Sequence, residues 1–267
     1  MPEDLALHLV LLLVGAAFVA GWVDAVVGGG GLIQLPALLV TLPDDTPVPV
    51  ISGTNKVSSV AGTTIATITY LRRVTLDWPV VLPLVVSAAA GSAAGAQLVR
   101  LLPRDAFTPI VLVALVAVGV YTVRRPQMGL HNEVRHTGLA AAWRTALIGL
   151  GVGLYDGFLG PGTGSFFVIL IVAVLGHGFL QATAKAKLAN LTTNLAAISV
   201  LAWHGQVYWL LGALMAAANL LGGFTGARMA LRNGSAFVRR VFLVVVGLMV
   251  VRLGWDTVLI VQRQLSG

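Results

Sequence analysis

Two lysines, Lys56 and Lys187, stand well inside stretches that are otherwise apolar enough for a lipid bilayer. An ammonium group in hydrocarbon costs at least ~2.5–3.5 kcal/mol on insertion scales, so a residue of this kind faces a partner or a wet cavity. The neighbours point to a cavity. Lys187, Asn190 and Asn194 fall at i, i+3 and i+7, on one face of a helix, and Lys56, Ser59 and Thr63 have similar helical spacing. Ammonium groups set among hydroxyl and amide donors suit an oxyanion. The candidate contacts are therefore Lys56 and Lys187 as charge partners, with Thr54, Asn55, Ser59, Asn190, Thr193 and Asn194 as hydrogen-bond donors. Asp24 and Asp156 are the acidic residues that fall inside apolar segments. A carboxylate near a lysine either carries a proton or serves as a permanent counter-ion holding an empty site together, and pairing is the favoured reading. Lys185 lies nearer a segment end and is expected to snorkel to the interface.

Each aspartate precedes a glycine cluster by four residues, about one helical turn: Gly28-Gly29-Gly30-Gly31 and Gly160-Pro161-Gly162-Thr163-Gly164. A helix that restarts after such a break presents unpaired N–H groups and the positive end of its dipole, a device for holding anions. Gly29, Gly30, Gly31, Gly162, Thr163 and Gly164 are the backbone donors this predicts. No Gly-Lys-Ser/Thr follows the glycines, which excludes a Walker loop. Gln34 follows the first break but is matched by Phe166 in the second, so it receives no role. His8, His131, His136, His177 and His204 are scattered without zinc spacing, with His204 expected in a turn at the interface. There is no nucleophile elbow, metalloprotease signature or dinucleotide fingerprint in context. The reading is a non-enzyme with no metal and no cofactor.

These motifs recur because the chain contains itself twice, at an offset of about 131 residues. Gly21-Trp22-Val23-Asp24 answers to Gly153-Leu154-Tyr155-Asp156, and Thr54-Asn55-Lys56 to Lys185-Ala186-Lys187. Gly91-x-x-x-Gly95 answers to Gly222-x-x-x-Gly226, both small-residue motifs that let helices approach closely in lipid. The period is too long for a solenoid and suits two halves of a transporter-like bundle. Composition agrees. Hydrophobic residues make up 57% of the 267 and charged residues 10%, against roughly 25% in a soluble domain. Cysteine is absent, which excludes disulfides and thiolate metal sites. The net charge of +7 would suggest nucleic acid in a soluble protein, but most arginines stand at segment ends, where they orient a chain in the bilayer.

About ten apolar segments are predicted, near 7–27, 32–42, 48–71, 79–99, 107–123, 139–158, 163–176, 182–203, 207–230 and 237–253. The second and seventh are too short to cross untilted and follow the glycine clusters, so the chain emerges on the side it entered. This puts Arg72, Arg73, Arg124, Arg125, Arg135, Arg232, Arg239 and Arg240 together. Glu3, Asp4, Asp44, Asp45, Arg100, Arg104 and Arg263 share the other face. The arginine-rich face is then cytoplasmic and both termini lie outside. Five segments per copy make the repeat inverted. The predicted organisation is an all-α polytopic membrane protein: a first repeat over 1–124, a cytoplasmic linker over 125–138 and a second repeat over 139–267, forming one transmembrane domain. Trp22, Trp78, Trp203, Trp209 and Trp255 are expected as interfacial anchors.

The stretches Gly21-Trp-Val-Asp-Ala-Val-Val-Gly-Gly-Gly-Gly-Leu-Ile-Gln-Leu-Pro36 and Gly53-Thr-Asn-Lys-Val-Ser-Ser59 resemble the sulfite exporter TauE/SafE family. Ala186-Lys-Leu-Ala-Asn-Leu-Thr-Thr-Asn-Leu-Ala-Ala197 and Gly205-Gln-Val-Tyr-Trp209 complete the resemblance, which covers nearly the whole chain and is closest to the family's YfcA-like bacterial branch. It implies transport, in the export direction, of small sulfur-containing or organic anions such as sulfite, sulfoacetate or related sulfonates across the cytoplasmic (inner) membrane. Two departures stand out: the second glycine motif is interrupted by Pro161 and Thr163, and Lys185 adds a cation.

The expectation is thus a carrier working by alternating access around one central anion site, its partners being a small anion and the lipid bilayer, not nucleic acid, with a homodimer as an option. The alternative is a passive anion channel. A membrane-embedded enzyme would need a nucleophile, base or metal set near an interface, and a non-transporting scaffold leaves the paired lysines unexplained.

Overall fold

The computed structural model describes residues 6–43, 45–99, 116, 120, 124 and 129–265. The apolar segment expected at 107–123 falls almost wholly outside these residues, as do Glu3, Asp4, Asp44, Arg100, Arg104 and Arg125. Among the described residues the chain is helical: α1 Leu7–Val27, α2 Gly31–Thr41, α3 Val48–Leu71, α4 Trp78–Leu98, α5 Gly138–Phe158, α6 Thr163–Leu170, α7 Phe179–Trp203 and α8 Trp209–Leu265. α6 continues as a π-helical turn over Ile171–Leu175, and α8 bends at Gly234, where φ is 71° and ψ −168°. Among the described residues, four stretches are long and apolar enough to cross a membrane: Leu7–Val27, Trp78–Leu98, Gly138–Phe158 and Trp209–Leu248.

α1 stops because Gly28 adopts a left-handed conformation (φ 82°) and its N–H closes on the Asp24 carbonyl. The chain then doubles back. Leu13 and Ala17 of α1 share one apolar cluster with Leu35 and Leu38 of α2 and with Leu42, so α2 returns alongside α1. The second half behaves alike. Beyond the π-helical turn, Gly176 accepts a bond from Glu133 N–H and Leu175 one from Arg135 N–H, which brings the end of the α6 segment back to the residues that lead into α5. Asn219 of α8 pins the first hairpin by donating to the Ala17 carbonyl at 3.0 Å and to Gln34 Oε1 at 2.9 Å.

Each half is packed by helices of the other. A Cβ placed on Gly91 or Gly95 of α4 would stand 2.4 Å from the Leu150 carbonyl oxygen or 2.2 Å from that of Leu154, both in α5. One on Gly222 or Gly226 of α8 would stand 2.0 Å from the carbonyl oxygen of Phe18 or 2.5 Å from that of Trp22, both in α1. Both small-residue motifs therefore serve backbone-to-backbone packing between the halves. Trp22 is spent at the second of these contacts, its indole N–H donating to Met229 Sδ at 3.3 Å, and is half-buried, unlike the exposed Trp78, Trp203, Trp209 and Trp255. Its position beside a glycine stripe, not its spacing from a segment end, decides this.

Candidate functional site

The tips of the two hairpins touch. A Cβ on Gly28 would lie 2.1 Å from the Gly164 carbonyl carbon, and Gly31 lies against Gly160 and Pro161. The contact is also hydrogen-bonded: Ser165 gives its N–H to the Gly28 carbonyl at 3.2 Å and its hydroxyl to the Val27 carbonyl at 2.9 Å. The carbonyls stranded where α1 ends thus find donors, as buried backbone groups in lipid must. Tyr70 supplies another, its hydroxyl donating to the Ala25 carbonyl at 2.9 Å.

Around this junction the two lysines make crossed ion pairs. Lys56, from α3 in the first half, reaches Asp156 of α5 in the second, with Nζ 2.6 Å from Oδ2. Lys187, from α7 in the second half, reaches Asp24 of α1 in the first, at 2.8 Å from Oδ2 and in contact with the Asp24 main-chain carbonyl as well. All four residues are buried. The hydroxyls of Thr63 and Ser92 lie 3.4 Å from Asp24 Oδ2 and Asp156 Oδ2, but each has a closer acceptor at 2.7 Å, the main-chain carbonyl of Ser59 and of Thr193 respectively. Between the pairs lies a cavity of about 20 Å³, lined among others by Asp24, Lys56, Asp156, Asn55, Ser59, Asn190 and Asn194. Gly28, Gly31, Gly160, Thr163 and Gly164 complete the wall, so the N-terminal ends of α2 and α6 both reach it. That volume holds about one water. Asn55 Oδ1, buried, has no hydrogen-bond partner among the described residues.

The structure brings together most, not all, of the residues singled out by sequence. Lys187 is at the junction through its bond to Asp24 but is not among the residues lining the cavity. Thr54 is turned elsewhere: its hydroxyl donates to the Val50 carbonyl and accepts from Tyr208 N–H at 3.0 Å, tying α3 to the start of α8. Thr193 donates to the Asn190 carbonyl, and its own carbonyl accepts from Ser92. Gly29, Gly30 and Gly162 belong to the breaks without lining the cavity; Gly30 packs instead against Ala20 and Asp24. Lys185, expected at the interface, is 2% exposed. Sequence reasoning passed over Ser92, hidden inside the Gly91–Gly95 motif, and Gln34, which is 1% exposed and donates to the Asn55 carbonyl. Gln34 was discounted for having no polar counterpart in the second copy. Its partner Asn219 comes from outside the repeated motifs.

At the arginine-rich end, His177 sits in the turn before α7, its Nδ1 3.2 Å from Asn132 Oδ1. Burial, followed by the charge of Lys185, pushes its pKa down from 6.5 to about 4, with Asp77 acting the other way. The unfolded chain therefore takes up this proton at higher pH than the folded one. The stability contributed by the neutral ring is complete above pH 6.5 and is lost as pH falls from there toward 4. The thermal midpoint of the wild type in detergent is expected to drop more steeply across that window than the midpoint of His177→Gln. Parallel slopes would remove the ring from the account.

Comparison with known proteins supplies the class. A "Probable membrane transporter protein ORF9" of Sinorhizobium sp is 36% identical over 251 residues, 94% of either chain. A "Probable membrane transporter protein" of Haemophilus influenzae is 32% identical over 253 residues, covering 95% of this chain and 97% of its own. The protein of the same description called YfcA, of Escherichia coli K12, is 32% identical over 242 residues, 90% of this chain and 88% of its own. With the long apolar helices, these likenesses define a multi-pass membrane protein of the transporter class. Residues 13–253 match the family described as sulfite exporter TauE/SafE, and the chain belongs to that family.

Proposed function

We propose that the protein is a secondary carrier that moves small anions, of the sulfite or sulfonate kind, across the cytoplasmic membrane by alternating access, in the export direction. The crossed ion pairs carry this reading. A lone buried charge costs several kcal/mol, so each lysine in a closed site must face an anion at all times. Here that anion is an aspartate of the opposite half. A substrate oxyanion entering the cavity takes over the ammonium groups, with Asn55, Ser59, Asn190 and Asn194 and the N-terminal ends of α2 and α6 as further donors. The displaced Asp24 and Asp156 are then free to take up protons, which makes them the candidates for coupling.

Alternating access follows from the same exchange. While Lys56–Asp156 and Lys187–Asp24 are intact, each pair fastens one half to the other. Substrate replaces these fastenings and permits one half, 1–124, to rock against the other, 139–267, about the linker 125–138. The hairpins meeting tip against tip support an inverted repeat, with the arginine-rich face cytoplasmic and the termini outside. A cavity of water size favours a carrier over a channel, whose central site would stand in a continuous wet path.

Uptake and counterflow in proteoliposomes test the reading, with labelled sulfite, sulfate, thiosulfate, sulfoacetate and simple carboxylates under an imposed pH gradient. Saturable exchange of one anion is expected, lost in both Lys56→Ala and Lys187→Ala. Robust exchange in both variants would mean that the lysines are structural, and ohmic conductance without saturation would make the protein a channel.

A further inference from the structure

Away from the centre, the arginine-rich end holds a cleft of about 520 Å³ between the end of α3, the start of α7 and the middle of α8. Arg72 and Arg73 line it from the α3 side, Arg228 and Arg232 from α8, with Leu180 and Phe224 among its apolar walls. None of the described residues that line it is acidic. Four arginines lining one space repel each other, an arrangement that topology alone does not require. Arg135, Arg144 and Arg240, outside the cleft, are each bonded to a main-chain carbonyl: Ala173, Ala140 and Ala236 respectively. Arg144 also stacks on Trp143, outside the cleft, and in the cleft Arg228 stacks on Phe224 with its guanidinium carbon 4.0 Å from the ring centre. Stacking fixes the plane of the guanidinium fork, so less side-chain freedom is lost when it grips a ligand.

We propose that this cleft is a second anion site, one that binds the phosphate, sulfate or sulfonate type of oxyanion through arginine forks. It differs from the centre in kind. Its cations are planar arginine forks, they are exposed, and the space admits a whole anion, whereas the centre closes on the volume of a water. The site stands on the arginine geometry and does not depend on transport. At a bilayer surface the same chemistry reaches the cleft from two sources, a free anion in solution or the phosphodiester headgroup of an acidic lipid.

Two probes tell these apart on the full-length protein. Radiolabelled inorganic phosphate is measured by equilibrium dialysis in a neutral detergent. Retention of phosphatidylglycerol is measured by native mass spectrometry after extraction from mixed phosphatidylcholine and phosphatidylglycerol nanodiscs. Arg72→Gln/Arg228→Gln is expected to weaken at least one probe by about tenfold for each fork lost. Arg73→Gln/Arg232→Gln repeats the test on the other two arginines. Arg135→Gln/Arg144→Gln, which removes the same charge elsewhere, is expected to leave both probes unchanged. Weakened phosphate binding alone identifies a free anion, and weakened lipid retention alone identifies a headgroup. Either one supports the site. A wild type that binds neither probe, or binding that both cleft variants leave intact, overturns it.

Discussion

Lys56→Met is expected to cost about 3–5 kcal/mol of stability, because it leaves the Asp156 carboxylate buried without its cation. Asp156→Asn is expected to cost a similar amount by stranding the Lys56 ammonium. The combined variant Lys56→Met/Asp156→Asn should recover most of the loss, since replacing both members of a buried pair by neutral groups of similar size is often close to neutral. Transport is expected to be absent in both Lys56→Met and the double variant. Thermal midpoints in detergent, measured beside transport in liposomes, separate the two roles. A double variant as unstable as the singles would show that the pair is not what Lys56 contributes to the fold. One that still transports would show that the anion does not need Lys56. The corresponding cycle on Lys187 and Asp24 is expected to recover less. There the ammonium also serves a main-chain carbonyl, which Lys187→Met leaves without that donor.

The second large effect belongs to the junction of the hairpins. At Gly28 an alanine would meet the Gly164 main chain at 2.1 Å and would also have to hold a φ of +82°. The left-handed conformation alone costs about 1–2 kcal/mol for a residue with a Cβ. The clash is with backbone, which no rotamer relieves. Gly28→Ala and Gly164→Ala are each expected to lose more than about 3 kcal/mol or to fail to accumulate in the membrane. Gly15 and Gly151 provide the contrast, because a Cβ at either meets nothing within 4 Å. Gly15→Ala and Gly151→Ala should be neutral or gain up to about 1 kcal/mol from helix propensity. Equal stability of Gly28→Ala and Gly151→Ala in a detergent melting assay would contradict the close contact.

Much of this fold was legible as runs of apolar residues. The first and third segments expected from sequence have the bounds of α1 and α3, and the break foreseen between 230 and 237 corresponds to the bend at Gly234. Repeat spacing identified Lys56 with Lys187 and Asp24 with Asp156, because equivalent positions carry equivalent chemistry. It did not disclose that each lysine reaches across to the other half. Equivalence says which residues match, not which residues touch. Lys185 was misjudged for a related reason: nearness to a helix end predicts snorkelling only where that end is free, and here Lys185 is buried, within electrostatic reach of His177 and Asp77. Thr54 looked like a site residue because it adjoins Asn55 and Lys56, yet adjacent residues on a helix point about 100° apart. Its hydroxyl accordingly serves Tyr208.

The crossed pairs also bear on how the chain comes into being. Asp24 and Lys56 are synthesised, and reach the bilayer, long before Lys187 and Asp156 exist. The newborn first half therefore holds one acidic and one basic group whose final partners are still unmade. Until the second half arrives, their charges are met by one another, by water or by lipid. Maturation of this protein is then an exchange of provisional ionic partners for permanent ones, completed only when the last helices are in place.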